Sequence, residues 1–129
     1  MKRSLQLNPD NRPATWIQIR DWREKHKRAP VDTSMGSFDV DEAADQNFRN
    51  MIDDFDNLPT LQAGKLTWKR ADNSFIPLTK AELQQVYAEI KTARATRGAL
   101  LHVKAEVFRQ MATPPTPAQL SNSNFWIEG

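Results

Sequence analysis

Residues 68–83 read WKRADNSFIPLTKAEL, and this stretch contains the clearest fold signals in the chain. Asp72 and Asn73 favour a tight turn, because their side chains bond to nearby backbone and tolerate positive φ. Aromatic and β-branched residues on both sides of that turn suit the arms of a hairpin, and the proline in the second arm is expected to end it. Thr79 and Glu82 then form the T-x-x-E pattern of a capping box. The stretch therefore predicts a β-hairpin that leads directly into a helix.

Two earlier segments carry similar signals for helix starts. Thr15 begins a T-x-x-Q pattern, and Asp39 with Glu42 forms D-x-x-E. Both patterns place a capping side chain three residues before a partner that can bond back to it. Gly36 lies between two short extended runs, so we expect it to form the turn of another hairpin. The sequence thus predicts two hairpins and two helices before the final helix.

The last predicted helix covers residues 80–111 and is long for a small domain. Gly98 lowers helix stability and indicates a kink or a break near the middle. Beyond Gly98 the apolar side chains either pack on the protein's own core or meet a partner or another copy of the chain, and the sequence leaves both interpretations open. The candidate partner-binding residues in this helix are Leu101, Val107, Phe108 and Met111.

Residues 113–129 contain three prolines, which oppose a helix and favour a stiff polyproline conformation. The segment nevertheless ends in Phe125, Trp126 and Ile127, large apolar side chains of the kind that often anchor interfaces. They are expected either to fold back on the sheet or to dock on another chain. In the second case, deleting residues 117–129 should leave the melting temperature nearly unchanged.

These elements together predict an α+β fold. Two β-hairpins are expected to form one small antiparallel sheet, packed with three helices of which the last is long. The length of 129 residues fits a single domain. We assign residues 1–14 to an extended N-terminal arm, residues 15–112 to the domain, and residues 113–129 to a proline-rich C-terminal arm with an aromatic anchor.

Composition excludes several classes of site. The chain has no cysteine, which removes thiolate metal sites and cysteine catalysis, and its two histidines lack ligand-type neighbours at metal spacing. The four glycines are scattered singly and form no phosphate-binding loop. We therefore expect a protein that is not an enzyme and has no cofactor and no metal site. No apolar run approaches the roughly 20 residues of a membrane span, and no membrane partner is expected.

The order of these signals resembles a known family. A charged helix (IRDWREKHKR), a G-x-F-D-x-D passage beginning at Gly36, and a W-x-x-x-D-N-S turn lead to L-T-x-x-E-L. This order is similar to a small domain of unknown function in tailed-phage proteins, usually encoded beside tail-fibre genes. The resemblance covers residues 19–111 and includes Trp68 and the Asp72-Asn73 turn. No catalytic residues are known for that family, so none is carried over.

The resemblance implies a structural component of a phage tail, made in the host cytoplasm and located in the virion tail. Its partners would be tail-fibre or baseplate proteins, with self-association as a further possibility, and its arms would be the points of attachment. One alternative is a tail-fibre assembly chaperone that the virion does not retain. Another is a small nucleic-acid-binding module that uses the basic helix at residues 20–28, although a net charge of +2 gives this reading little support.

Overall fold

In a computed structural model, described for residues 12–59 and 63–128, the protein has the predicted α+β class. The predicted N-terminal arm lies outside the described residues except for residues 12–14. A single 3₁₀ turn, Phe55–Asn57, follows the second helix. The helices are α1 (Trp16–Lys27), α2 (Glu42–Asp54), α3 (Lys80–Gln110), α4 (Pro117–Leu120) and α5 (Ser123–Glu128), and the strands are β1 (Val31–Thr33), β2 (Gly36–Phe38), β3 (Leu66–Lys69) and β4 (Phe75–Leu78).

The described chain divides into two compact units, each with its own core. The α+β unit comprises residues 28–95 and contains both hairpins, α2 and the first half of α3. The helical unit comprises α1, the second half of α3, α4 and α5. Helix α3 is continuous through Gly98, so the predicted break into two helices is wrong.

The two hairpins form two separate two-stranded sheets, and the prediction of one joint sheet is wrong. In the first hairpin Val31 pairs with Phe38, and in the second Leu66 pairs with Leu78. The two hairpins meet at Arg70 and Ala71, the residues that directly follow β3. Arg70 Nε donates to the Met35 carbonyl at 2.9 Å. A bond between Ala71 N and Ser37 O, at 2.8 Å, is the backbone contact there, and one such bond does not make a ladder.

Gly36 occupies a position that only glycine suits. Its φ of 113° lies in a region that side chains with a Cβ rarely adopt. A Cβ at this position would also lie 2.6 Å from Arg70 Nε, the atom that bonds to Met35. The predicted first hairpin is confirmed, but its turn lies at Ser34 and Met35, and Gly36 is the first residue of β2, paired with Thr33. The contact between the hairpins is a second reason for glycine.

The turn in residues 68–83 forms as predicted. Asn73 has a positive φ of 71°, and the Asp72 carboxylate accepts a bond from Ser74 N at 2.9 Å. Pro77, however, does not end the second arm, because it pairs with Thr67 inside β4. A proline is tolerated there because β4 has a single neighbouring strand, and the edge that lacks a donor can face away from it.

The capping box that follows is confirmed. Glu82 N donates to Thr79 Oγ1 at 3.1 Å, and Thr79 N donates to Glu82 Oε1 at 2.9 Å. This backbone bond from Thr79 lowers the pKa of the Glu82 carboxyl. Leu78 and Leu83 flank the cap and are fully buried, which is the arrangement of a hydrophobic staple.

The two earlier caps have different outcomes. Thr15 and Gln18 make both bonds of a capping box, at 3.3 and 2.9 Å. At α2 the capping residue is Asp41, whose carboxylate accepts from Ala44 N at 2.8 Å, so the assignment of the cap to Asp39 is wrong. Glu42 is the first helical residue of α2 and therefore cannot be the reciprocal partner of a cap.

The proline-rich segment contains helices, contrary to the prediction of an extended arm. Pro117 is the first residue of α4, where the missing N–H would have had no helical partner anyway. Thr116 caps this helix together with Gln119 in a complete capping box. The pattern T-x-x-Q at residues 116–119 is the same signal that predicted α1, and it outweighs the prolines.

Each unit is held by a compact group of apolar side chains. The ring of Phe48 lies at the centre of the α+β core, with centroids 6.0 Å from Phe38, 4.9 Å from Trp68 and 5.5 Å from Tyr87. Buried residues of the helical core are Ala14, Ile19, Leu101, Ala105, Phe108, Leu120 and Trp126. No described side chain that is polar or charged is fully buried.

Candidate partner-binding surface

Three of the seven predicted partner-binding residues lie in the protein's own helical core. Leu101, Phe108 and Trp126 are 3%, 4% and 0% exposed, so their assignment to a partner surface is corrected to a core role. The Phe108 ring lies 4.9 Å from the Trp126 ring and 5.3 Å from that of half-buried Phe125. Phe108, Phe125 and Trp126, which the sequence suggested as contacts for a partner, therefore pack against one another within the chain.

The polar edge of Trp126 is also satisfied within the chain. Its Nε1 donates to the Leu120 carbonyl at 2.8 Å, and His26 Nε2 donates to the same oxygen at 2.6 Å. The His26 ring lies 5.6 Å from both the Trp22 and the Trp126 rings. The C-terminal aromatic segment therefore folds back, as one of the two interpretations held, but onto helices and not onto the sheet.

A second face of α3 carries apolar side chains that are exposed. Leu100, Val103, Val107 and Met111 follow one another at intervals of three or four residues, which places them along one side of the helix. Their exposed fractions range from 36% to 62%. We call these four residues the outer stripe.

The outer stripe includes two of the predicted partner-binding residues, Val107 and Met111. Leu100 and Val103 were not among the candidates, although their spacing from Val107 was readable in the sequence. Ile127, the remaining candidate, is 60% exposed on α5. Sequence alone could not decide which face of α3 would be covered, because α1, α4 and α5 pack on it from distant parts of the chain.

Helix α1 shows how the basic segment is used. Arg23 and Lys27 both pair with Glu24, at 2.8 and 3.4 Å. Trp16 and Trp22 are partly buried against the helical core, which agrees with the core interpretation of these tryptophans. A nucleic-acid base that stacks on an aromatic side chain needs an open ring face. One face of the Trp22 ring is covered by Lys25, whose Nζ lies 4.5 Å from the ring centroid.

The α+β unit contains one network of charged side chains between α2 and α3. The Asp45 carboxylate accepts from Tyr87 Oη at 2.8 Å and from Arg94 Nη1 at 3.0 Å, and its other oxygen lies 3.0 Å from Arg49 Nε. Partial burial acts to raise the pKa of Asp45, but the bonds from Tyr87 and Arg94 and the charges of both arginines outweigh it. The pKa of this carboxyl is therefore lowered.

This network predicts a pH dependence of stability. Because the pKa of Asp45 is lower in the folded protein than in the unfolded chain, its contribution is complete above the unfolded value of about 3.9 and is lost as the pH falls through the folded value. We expect Asp45→Asn to lower the free energy of unfolding by about 1–3 kcal/mol at pH 7. Urea unfolding at a series of pH values measures this.

The difference in the free energy of unfolding between wild type and Asp45→Asn should begin to narrow below about pH 4, where Asp45 of the unfolded chain takes up a proton, and should close only below the lowered pKa of the folded protein. Asp54→Asn is the matched control, since Asp54 is an exposed residue at the end of the same helix, and it should change stability by less than about 0.5 kcal/mol. A gap for Asp45→Asn that stays constant down to pH 2 would contradict the ionic role.

Within residues 12–59 and 63–128, no group of three or more His, Cys, Asp or Glu side chains could hold a metal ion. Among the same residues, no helix combines the length and the apolar character of a membrane span. His26 bonds to the Leu120 carbonyl, and His102 Nε2 lies 3.4 Å from Lys27 Nζ. Both histidines thus have neighbours in the helical unit.

Comparison with protein families gives one match, which covers residues 10–120. The matched family is described as a domain of unknown function, DUF4376, and this description states no activity and no partner. The association with phage tails therefore stays a prediction. Comparisons with curated proteins and with solved structures find no match. Since the family match spans most of the chain, the protein belongs to the DUF4376 family of domains of unknown function.

Proposed function

We propose that the protein is a non-enzymatic structural component of a bacteriophage tail and that the outer stripe attaches it to a tail-fibre or baseplate protein. The phage-tail part of this proposal rests on the sequence resemblance described above, and the exposure of all four stripe residues on one face of α3 supports the surface of attachment. Apolar side chains exposed singly are common on soluble proteins, whereas a contiguous group marks a contact surface. The stripe covers about 16 Å of helix, at 1.5 Å per residue.

The spacing of the stripe suggests the shape of its partner. Intervals of three and four residues are those at which one helix packs its side chains against another. Lys104 borders the stripe, since it follows Leu100 by four residues and precedes Val107 by three. A partner helix with an apolar face and acidic residues beside it fits this surface.

The charge of the helical unit supports the same choice of partner. Residues 12–27 and 96–128 contain eight lysines and arginines but four aspartates and glutamates. Residues 28–95 contain eight basic and eleven acidic residues. The outer stripe thus lies on the basic unit, and complementary charge would favour association with an acidic surface.

The outer stripe, and not the C-terminal arm, is the proposed point of attachment. Trp126 and Phe108 are committed to the helical core, so they cannot also anchor a partner while that core is intact. The N-terminal arm, the other predicted point of attachment, lies largely outside the described residues. The outer stripe is therefore the surface to test first.

Val103→Lys is the variant that tests the stripe. It places a charge in the middle of an apolar contact, which a partner cannot bury without desolvating the charge. We expect mass spectrometry of purified virions to detect the wild-type protein and to show Val103→Lys reduced at least tenfold, with its melting temperature almost unchanged because Val103 is exposed.

Ile17→Lys is the matched control. Ile17 is also β-branched, lies on a helix of the same unit and is 58% exposed, against 62% for Val103. This control should remain in virions at the wild-type level. Absence of the wild-type protein from virions would contradict the structural role, and if fibres then failed to assemble without the protein, the chaperone alternative would replace it.

A further inference from the structure

Helices α2 and α3 form a cleft of about 430 Å³ in the α+β unit, apart from the outer stripe. We propose that this cleft binds an acidic peptide segment, in which a glutamate or aspartate stands next to an aliphatic side chain. The volume is within the range of known ligand sites. The cleft is lined by Arg49, Ile52 and Asp53 of α2 and by Gln84, Tyr87, Ala88 and Lys91 of α3.

Two cations meet at one tyrosine in this cleft. Arg49 Nε donates to Tyr87 Oη at 3.0 Å, and Lys91 Nζ lies 4.9 Å from the centroid of the Tyr87 ring. The contacts of Arg49 with Asp45 and Tyr87 use Nε, and among the described residues its two terminal nitrogens donate no hydrogen bond. Lys91 has no ion pair within the described part of the chain. A carboxylate could bond to both cations.

The remaining lining residues favour a carboxylate over a phosphate. Asp53 contributes a negative charge beside the cations, so the cleft suits a single negative charge better than a double one. Ile52 and Ala88 provide an apolar surface on which an aliphatic side chain can lie. The Gln84 amide can both donate to and accept from a peptide group.

Because the cleft is open to solvent, it suits an extended peptide better than a small molecule that must be enclosed to bind. Five of the seven lining residues are exposed, and of the other two Tyr87 alone is buried. A small molecule gains affinity by burying most of its surface, which such a site does not allow. A peptide can extend beyond the cleft in both directions.

The test uses the full-length protein labelled with ¹⁵N and two seven-residue peptides, GALELAG and GALQLAG, which differ only at the central residue. Amide spectra should shift at the lining residues on addition of GALELAG, with affinity about fivefold higher than for GALQLAG. Lys91→Gln should remove most of this preference. Lys69→Gln, which changes an exposed strand lysine of the same unit, is the control and should keep the preference.

Two further probes identify the ligand class. Inorganic phosphate and butyrate at the same concentrations should shift the lining residues less than GALELAG does. Equal binding of the two peptides, shifts that lie elsewhere, or stronger binding of phosphate or butyrate would each overturn the proposal. None of these measurements involves Val103 or virions, so peptide binding in the cleft and attachment to the tail are tested independently.

Discussion

Replacing Trp126 with alanine is expected to lower the free energy of unfolding of the helical unit by about 3–5 kcal/mol, the usual cost of truncating a large buried aromatic side chain. Trp126 is fully buried, its ring lies against Phe108 and His26, and its Nε1 bonds to the Leu120 carbonyl. The Leu120 oxygen keeps its bond from His26 in the variant, so most of the loss should come from the cavity. Amide hydrogen exchange of α1 and of the second half of α3 measures it.

Ile127→Ala is the neighbouring control. Ile127 follows Trp126 directly in α5, yet it is 60% exposed, and its truncation should cost less than about 0.5 kcal/mol. Deletion of residues 117–129 should destabilise the unit at least as much as Trp126→Ala, because it removes Leu120 as well. A deletion variant with an unchanged melting temperature would instead mean that the C-terminal segment is a free arm.

The features that the sequence predicted well are those decided within a few residues. The Asp72-Asn73 turn and the caps at Thr15 and Thr79 depend on bonds between residues two or three apart, and these bonds formed as expected. Short-range signals can also conflict, and then the pattern does not say which one prevails. At residues 116–119 the capping box prevailed over the prolines, because a proline at the first helical position costs no hydrogen bond.

What the sequence could not decide depends on contacts between distant segments. The two hairpins meet where Arg70 bonds to Met35, 35 residues away in the sequence, and no local pattern encodes a contact of that separation. Helix α3 shows the same limit, because Val107 and Phe108 are adjacent in sequence but Val107 is exposed and Phe108 is buried. The apolar pattern predicted both as candidates, and the packing of α1 and α5 separated the core residue from the exposed one.

Replacing Phe48 with alanine is expected to lower the free energy of unfolding of the α+β unit by about 3–5 kcal/mol. Phe48 is 2% exposed and contacts the rings of Phe38, Trp68 and Tyr87, which come from β2, β3 and α3. Its removal therefore opens a cavity at the point where both hairpins meet the helices, and rigid strands cannot close over it easily. Urea unfolding followed by tryptophan fluorescence reports the change, because Trp68 is one of the rings around the cavity.

Phe75→Ala separates this effect from the general loss of an aromatic side chain. Phe75 belongs to the same unit and the same residue type but is 63% exposed on β4, so its truncation should cost less than about 0.5 kcal/mol. If the core is centred on Phe48, the free energy of unfolding should fall much more in Phe48→Ala than in Phe75→Ala. If both variants lost the same small amount of stability, Phe48 would not hold the hairpins to the helices, and the cleft beside Tyr87 would lack a rigid support.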